Sequence, residues 1–523
     1  MAQIETDVLI LGCGIAGATT ALRLAENHDL HITIVTPEAD PHESNTYHAQ
    51  GGIIYRGDDD SPKLLIEDFE RAGVAMNNLR AVSILAEEGP PLLREWLVER
   101  LHVPFDTASG SALEVIKEAA HSTARILHVG DYTGRAIQEK LVEALHATPN
   151  IHLVTRCTAV DLLTPSHHSL NRVAVYEPLS CMGAYVFDQA TGGVDAYVAK
   201  KTVLATGGLG RIFLHTTNPP GARGDGLAMA NNAGARIINA EYVQFHPTGF
   251  YYGDHVRFLI TEAVRGAGGR LVDDHGQPFM QKYAPEWKDL APRDVVARSI
   301  HREMLTTGSK FVYLDLKSYL PADKIKSHFP AIYQWCLEFG VDITQDLIPV
   351  VPAAHYFCGG VWVDDWSRSS IRNLYAVGEV SCTGVHGANR LGSASLLEGL
   401  VYGVRTADDI VRNLGTLEIN PSDIPPWHDE DLTEVADPAL VSQDMATIQN
   451  IMWNYVGLVR TTRRLDRAIS DLRNLQIDIT RFYASTRLSD GLIGLRNAVQ
   501  AALIVAQAAW ENKVSLGCHY RED

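Results

Sequence analysis

Hydrophobic runs near the N-terminus predict a strand, a helix and a second strand. Asp7–Leu11 has the apolar composition of a buried parallel strand, Ala18–Ala25 is typical of a helix, and Ile32–Val35 is a second apolar run. Between the first two lies Gly12–Gly17, a G-x-G-x-x-G motif. Glycines at this spacing permit a tight turn, let a pyrophosphate approach the backbone and bring the helix close to the strand. The motif therefore predicts dinucleotide binding at the helix N-terminus, rather than a simple glycine-rich turn.

Further apolar runs predict strands from distant parts of the chain. Ile151–Leu163 and Ala184–Val186 are strand-like, while Thr202–Gly208 and Asn373–Glu379 are buried strands that lead into glycine. In open α/β sheets the ligand lies outside the carboxyl ends of such strands. The pattern predicts a Rossmann-like nucleotide-binding domain assembled from discontinuous segments.

Helical periodicity dominates two other regions. Apolar residues recur at three- and four-residue spacing over Ser61–Arg100 and again over residues 440–511. Within the second region, Ile451–Leu472 and Leu492–Trp510 are predicted amphipathic helices. Asp423–Asp431, rich in proline and acidic residues, predicts a linker.

These patterns predict an α/β fold in four consecutive segments. The nucleotide-binding domain takes residues 1–240 and returns over residues 354–420. Residues 241–353 form an inserted α+β capping domain that covers the site. Residues 425–523 form a C-terminal helical domain.

The net charge of the chain argues against some classes of binding partner. The 63 acidic and 45 basic residues give a net charge of −18, which argues against nucleic acid or an anionic membrane as a partner. A site for an anionic substrate must then be a local cationic cluster. No apolar run approaches the length of a transmembrane helix, and an N-terminus that carries Glu5 and Asp7 is not that of a signal peptide.

The cysteines predict a reducing compartment. Seven are present, at positions 13, 157, 181, 336, 358, 382 and 518, and none forms a C-x-x-C pair. We predict reduced thiols in a cytoplasmic protein, with neither a disulfide framework nor a metal site.

Short motifs along nearly the whole chain identify a family. Four of them, in order, resemble the active-site motifs of the succinate dehydrogenase/fumarate reductase flavoprotein family: Glu241–Gly249, Leu259–Gly266, Ala291–Asp294 and His386–Arg390. Taken alone, the polar loop Ser44–Gly52 could be a turn or could wrap a flavin. The resemblance makes it an FAD contact, together with Ala205–Gly208, Gly224–Gly226 and Gly378–Glu379.

The resemblance implies FAD as the cofactor, and it makes the nucleotide-binding domain an FAD-binding domain. The residues expected to contact FAD are Gly12, Cys13, Gly14, Ile15, Ala16, Gly17, Thr36, Ser44, Asn45, Thr46, Tyr47, His48, Ala49, Gln50, Gly51, Gly52, Ala159, Ala205, Thr206, Gly207, Asp225, Glu379, Arg390, Ser395 and Leu396.

The resemblance also implies a substrate with two carboxylates, which must be held while a hydride moves to flavin N5. Arginine suits this task because its planar fork binds carboxylate through two hydrogen bonds. We expect Arg390 and Arg293 to be the clamps, His246 and His355 to donate further hydrogen bonds, and Thr261 to offer a hydroxyl. Arginine is a poor base near neutral pH, so whether Arg293 moves a proton or only stabilises charge stays open.

Three further stretches resemble the members of the family that oxidise an amino acid. They are Glu118–Ser122, Val350–Gly360 and Met452–Thr461, and Glu118 is expected to face the substrate. This likeness implies oxidation of L-aspartate to iminoaspartate, with oxygen or fumarate as the electron acceptor. The product would feed quinolinate and NAD biosynthesis, and quinolinate synthase is a candidate for a transient partner, although the sequence leaves open whether the two proteins dock.

Two other functions compete with this one. The chain could be the flavoprotein subunit of a membrane respiratory complex with an iron–sulfur partner, or an NAD-binding module without catalysis. The second rests on Gly12–Gly17 alone and does not explain the arginines and histidines. Asn45 and Glu118 favour the amino-acid oxidase over the respiratory subunit.

We predict that FAD is bound without a covalent bond. The membrane-bound relatives attach the flavin through a histidine, and Asn45 stands at that position. An amide side chain cannot form that bond. Acid precipitation of the yellow protein should therefore release all the flavin into the supernatant, and flavin that stays with the pellet would contradict the prediction.

Overall fold

The computed structural model describes residues 2–108, 112–118, 120–416, 421–429 and 431–523. Ala119 in the predicted substrate-facing loop lies outside the described residues. So do residues 417–420, at the predicted end of the nucleotide-binding domain, and Glu430 in the predicted linker.

Strands and helices alternate over the first 400 residues, and helices follow. The strands are β1 Gln3–Leu11, β2 Ile32–Val35, β3 Ile53–Ile54, β4 Val115–Ile116, β5 Ile126–Leu127, β6 Ile151–Val154, β7 Cys157–Leu162, β8 Gly183–Asp188, β9 Val194–Leu204, β10 Ile237–Ile238, β11 Val243–Tyr252, β12 His255–Leu259, β13 Arg270–Val272, β14 Val312–Asp315, β15 Ile348–Phe357, β16 Gly360–Trp362, β17 Leu374–Ala376 and β18 Ser381–Cys382. The α-helices are α1 Ile15–Leu24, α2 Pro62–Ala72, α3 Leu79–Leu93, α4 Thr133–Ala147, α5 Asp225–Asn232, α6 Ala263–Gly266, α7 Met280–Tyr283, α8 Arg293–Thr307, α9 Ala322–His328, α10 Pro330–Glu338, α11 Ala394–Arg412, α12 Pro438–Val456, α13 Thr462–Ser485 and α14 Asp490–Glu511. A π-helix, Arg94–Arg100, extends α3.

The largest sheet joins strands that are far apart in the sequence. Its order is β6-β2-β1-β9-β8-β7, and β17 also pairs with β9. Strands β6, β2, β1, β9 and β17 are parallel neighbours, while β8 and β7 continue the sheet antiparallel. Leu11 is opposite both Val35 and Leu204, and Ala376 is opposite Leu204, so four parallel strands end at one edge. The predicted α/β fold with a discontinuous Rossmann-like domain is confirmed.

The alternation of side chains along β1 explains why this strand is apolar throughout. Leu9 and Leu11 belong to a core shared with α5 and the C-terminal helices. Val8 and Ile10 belong to a second core on the opposite face, shared with α1, α3, α4 and α11. A parallel strand covered on both faces reads as a continuous hydrophobic run, because successive side chains point to opposite sides.

A second sheet forms the body of the predicted capping segment. Its order is β12-β11-β15-β14-β13, all antiparallel, and a separate core that includes Phe250, Val296 and Leu314 supports it. The predicted boundary at residue 353 falls within β15, and the domain bounds stay a prediction. Strands β11 and β15 carry His246 and His355, so this sheet brings the two histidines together.

The C-terminal helices correct one prediction. Ile451–Leu472 was expected to be a single helix, but α12 ends at Val456 and α13 begins at Thr462. Gly457, a poor helix former, stops the first helix. The Thr461 hydroxyl accepts a hydrogen bond from Arg464 N at 3.2 Å and caps the second.

Helix α14 also departs from the sequence prediction. Its apolar window has a mean hydropathy of 1.3, so by length and composition it could cross a membrane, although no such run was expected. Of that window, 72% is buried, and the helix packs against α12, α13 and α5. It is therefore a core helix of the domain, which a sequence of this composition also permits.

Replacing Arg460 with Met should lower the stability of the fold. This guanidinium is completely buried in the turn between α12 and α13, where it donates to Glu241 O at 2.8 Å and to Val456 O at 2.9 Å. Each buried carbonyl left without a donor costs about 1–3 kcal/mol, so we expect the free energy of unfolding to fall by about 2–5 kcal/mol. Thermal unfolding of the flavin-loaded protein measures this.

The matched control is Arg467→Met on α13. Arg467 is exposed and pairs only with Asp471, four residues along the helix. Its replacement should leave the unfolding temperature essentially unchanged. Equal melting of the two variants would show that the buried arginine does not hold the turn.

Candidate active site

A large cavity opens at the edge where the parallel strands end. Its volume is about 1160 Å³, slightly above the usual range for a small-molecule site, and residues from many segments of the chain line it. The lining includes the residues that directly follow β1, β2, β9 and β17, namely Gly12, Thr36, Ala205 and Val377. The cavity therefore lies where a ligand is expected in an open α/β sheet, outside the carboxyl ends of the strands.

The glycine motif lines one part of this cavity. Gly12 has φ +115°, and a side chain there would meet Ala205 O at 2.1 Å. A side chain at Gly17 would meet Gly12 O at 2.2 Å, which shows how closely α1 approaches β1. Both positions therefore require glycine. The Thr46 hydroxyl accepts from Ile15 N at 3.0 Å and joins the Ser44–Gly52 loop to the start of α1.

The predicted FAD contacts converge on the cavity. All the individually named residues line it except Gly17, whose role is the close packing of α1 on β1; in the motif segments, Gly208, Gly224 and Gly226 do not line it. Gln50 Oε1 and Thr206 Oγ1 are buried in this lining without a protein partner, as expected for atoms that hydrogen-bond a polar ligand. The residues present thus fit a dinucleotide.

Glu379 is an acidic residue of the cavity lining. Burial raises the pKa of its carboxyl to about 7. Hydrogen bonds from Phe357 N at 2.9 Å and Asn45 Nδ2 at 2.8 Å act in the opposite direction and lower this pKa, but burial outweighs them. The Asn45 amide therefore hydrogen-bonds to Glu379. Asn45, at the position expected to carry the flavin-attaching histidine in relatives, thus lies at the cofactor cavity.

Arg390 is the first cationic group of the site. Its side chain is 9% exposed, and its Nη2 donates to Ser395 Oγ at 2.8 Å. Among the described residues no carboxylate lies within ion-pair distance, and its Nε has no hydrogen-bond partner. Burial lowers its pKa, and the positive charge of Arg293 adds to this effect. A buried guanidinium without a carboxylate is poised to bind an anion.

Two neutral histidines face the same space. The rings of His246 and His355 are 5.5 Å apart, and burial, with repulsion by Arg293 and Arg390, holds both pKa values well below the ordinary range. Thr248 N donates to His246 Nδ1 at 3.2 Å, so the proton of this neutral ring is on Nε2. His246 can therefore donate a hydrogen bond without carrying a charge.

Arg293 lies at the start of α8 and is paired. Its Nε donates to Glu262 Oε2 at 2.7 Å, and Arg265 Nη2 is 3.5 Å from the other Glu262 oxygen. Burial lowers the pKa of Arg293, but the Glu262 carboxylate outweighs this and raises it overall. The two guanidiniums likewise outweigh burial and lower the pKa of Glu262. The group is therefore a charged Arg–Glu–Arg row at the cavity wall.

Glu118 reaches the cavity from the loop after β4. Its Oε2 accepts from Ser393 Oγ at 2.6 Å, and Gly52 N lies 3.4 Å from its Oε1. A methyl group placed on Gly392 would be 3.4 Å from both Glu118 Oε2 and Arg293 Nη2. The carboxylate therefore lies in the cavity lining, near the Arg293 guanidinium. Thr261, the remaining predicted residue, also lines the cavity.

Four residues of this arrangement were not predicted. Gln244 lies in the recognised motif Glu241–Gly249, and Glu262 and Arg265 lie in Leu259–Gly266, but no role had been given to them. Ser393 follows the last motif, His386–Arg390. The signal was present in the motif sequences, yet a carboxylate between two arginines becomes apparent only when β12, α6 and α8 are brought together.

Comparisons with known proteins agree with the geometry. The family model "FAD binding domain" matches residues 7–396, and "Fumarate reductase flavoprotein C-term" matches residues 445–523. L-aspartate oxidase of Yersinia pestis is 41% identical, with 99% of this chain and 96% of the relative covered. L-aspartate oxidase 1 of Ralstonia nicotianae is 42% identical, with 99% and 95% covered.

Solved structures give the same result for the fold. A point mutant of E. coli quinol fumarate reductase FrdA superposes with a TM-score of 0.88 at 26% identity, with 100% of this chain and 92% of that chain covered. Mycobacterium smegmatis Sdh1 has a TM-score of 0.81 at 30% identity, with 100% and 89% covered. FAD is accordingly the cofactor, and the chain belongs to the succinate dehydrogenase/fumarate reductase flavoprotein family, on its L-aspartate oxidase branch.

Proposed function

We propose that this protein oxidises L-aspartate to iminoaspartate, with oxygen or fumarate as the final electron acceptor. One juxtaposition carries the proposal: the cavity holds a buried guanidinium without a carboxylate partner among the described residues, Arg390, and a carboxylate, Glu118, near a second guanidinium. L-aspartate has two carboxylates and one ammonium group, and the site offers charges of the opposite sign for each. The named relatives at 37–42% identity support the same activity.

The substrate carboxylates are held by groups that match them in charge and in hydrogen bonding. Arg390 binds one of them through its two-pronged fork, and Arg293 stabilises the other. His246 and His355, both neutral, donate to carboxylate oxygens, and Thr261 adds a hydroxyl. Clamping both ends fixes Cα for hydride transfer, since the reacting atoms must be about 3–3.5 Å apart. FAD supplies the hydride-accepting atom, flavin N5.

Arg293 acts by its charge in this proposal. Because Glu262 favours the charged guanidinium, Arg293 remains protonated in the closed site and is not a base for the substrate ammonium. Its positive charge lies beside the carboxylate that the substrate brings into the site. The proton that the ammonium loses goes to water or to another group of the substrate, as expected from the high pKa of arginine.

The competing function, a flavoprotein subunit of a respiratory complex, is not favoured. Structures of fumarate reductase and Sdh1 share the fold at 26% and 30% identity, whereas the L-aspartate oxidases reach 37–42%. Asn45 hydrogen-bonds to Glu379 at the position from which a histidine would attach the flavin. We therefore also propose non-covalent FAD. A cytoplasmic location and a transient contact with quinolinate synthase stay predictions.

L-aspartate should bleach the flavin of the purified protein in the absence of oxygen. Hydride transfer reduces the flavin, and its visible absorbance is then lost. Adding fumarate should restore the colour, because the groups that hold the two carboxylates of aspartate also fit fumarate. L-alanine, which lacks the second carboxylate, is the control and should not bleach it. An unbleached flavin would refute the proposal, and failure of fumarate to reoxidise it would refute that acceptor.

Glu118→Gln should separate recognition of the ammonium group from recognition of the carboxylates. A hydrogen bond to a charged group contributes roughly 1.5–3 kcal/mol, so L-aspartate should bind about ten- to a hundredfold more weakly. Succinate has no ammonium group and should bind unchanged or more tightly. Titration of the flavin absorbance measures both ligands on the same variant.

Glu114→Gln is the matched control for this substitution. Glu114 is exposed, four residues earlier on the other side of the short strand β4, and does not line the cavity. It should bind both ligands like the unchanged protein. Equal weakening of L-aspartate and succinate by Glu118→Gln would show that Glu118 does not read the amino group.

A further inference from the structure

A closed group of buried polar side chains lies directly behind Arg390. The carboxylate of Glu398, which is 1% exposed, accepts hydrogen bonds from three neighbours: Thr383 Oγ1 at 2.5 Å, His386 Nε2 at 2.8 Å and Tyr356 OH at 3.2 Å. Burial raises the pKa of Glu398, but His386 and these hydrogen bonds outweigh it and lower the pKa overall. The proposed reaction does not use this carboxylate, since it does not line the cavity.

The Tyr356 ring connects this group to the clamp. Arg390 Cζ lies 4.6 Å from the centre of the ring, a distance typical of a cation–π contact. The hydroxyl at the far end of the same ring is held by Glu398 and, at 3.0 Å, by His386 Nε2. A ring fixed at its hydroxyl presents its face to the guanidinium in one orientation.

Helix α11 fixes both sides of Arg390. Ser395, in its first turn, accepts from Arg390 Nη2, and Glu398 follows three residues later on the same face. Arg390 Nη1 donates a long hydrogen bond, 3.4 Å, to Gln244 Oε1. Arg390 Nε has no hydrogen-bond partner among the described residues. The orientation of the fork therefore depends on Ser395 and on the Tyr356 ring.

We propose that Glu398, together with His386, is a positioning residue that orients the Arg390 clamp through the Tyr356 ring. This inference rests on the proposed function, in which Arg390 binds a substrate carboxylate. Glu398 touches neither cavity nor substrate in this role. It fixes the hydroxyl, its negative charge increases the electron density of the ring, and the ring holds the guanidinium at the angle that two-point binding requires.

The test is a double-mutant cycle on the flavin-loaded protein, read as succinate binding from the flavin absorbance without turnover. Glu398→Gln and Tyr356→Phe should each weaken succinate about three- to tenfold, a part of the cation–π contact, because both variants keep the ring and lose only its fixed orientation. Because both act through one ring, the double variant should be no weaker than the weaker single variant. In an Arg390→Leu background, Glu398→Gln should have no further effect.

Asp409→Asn is the matched control. Asp409 is a buried carboxylate on the same helix, and it likewise accepts a tyrosine hydroxyl, from Tyr375 at 2.9 Å, but it lies away from the cavity. It should lower the unfolding temperature and leave succinate binding unchanged. A fall in binding for this variant equal to that of Glu398→Gln would mean a general loss of stability and would overturn the proposal.

Other outcomes are equally decisive. Unchanged succinate affinity in Glu398→Gln, or effects of the two single variants that multiply, would overturn the positioning role. If Glu398→Gln does not fold, Tyr356→Phe decides alone, since it keeps the ring and removes only the hydroxyl. Failure of the unchanged protein to bind succinate or to be bleached by L-aspartate would instead refute the proposed function, so the two failures are distinguishable.

Discussion

Burial of positive charge is the constraint on which this site depends. Arg265 and Arg390 are buried and Arg293, with 21% of its side chain exposed, is half-buried; among the described residues Glu262 pairs with only Arg265 and Arg293. Burial, reinforced by this surplus charge, keeps the neighbouring histidines neutral, and Arg390 is left to be satisfied by a ligand. In a chain with a net charge of −18, this enclosed cationic region explains how an acidic protein attracts a dicarboxylate.

Two separate frameworks hold these charges in place. The parallel sheet sets the cofactor cavity at its carboxyl edge, and the antiparallel sheet of β11 and β15 brings His246 and His355 from more than a hundred residues apart. Neither sheet contains the whole site. The helix starts of α8 and α11 supply Arg293 and the surroundings of Arg390, so the site exists only once both frameworks have packed together.

Local features were predictable from the sequence, and features created by distant contacts were not. The βαβ unit is specified by neighbouring residues, since Gly12 and Gly17 tolerate no side chain where strand and helix meet. The motif residues also converge as expected on the cavity. The helix break before Thr462 was missed although Gly457 and Thr461 mark it locally, and a buried Arg460 also holds that turn through a contact with Glu241, remote in sequence. The pairing of Glu262 with Arg293 was hidden because these two residues are likewise not neighbours in the sequence.

The loop that carries Glu118 has a consequence for how such enzymes diversify. It enters the cavity from the N-terminal third of the chain, whereas the carboxylate clamps and histidines come from residues after position 240. Under the proposed function, substrate choice and hydride geometry are thus encoded in separate stretches of sequence. Exchange of a single loop would then convert an amino-acid enzyme into a dicarboxylate enzyme, or the reverse, while the costly arrangement of buried cations is inherited intact.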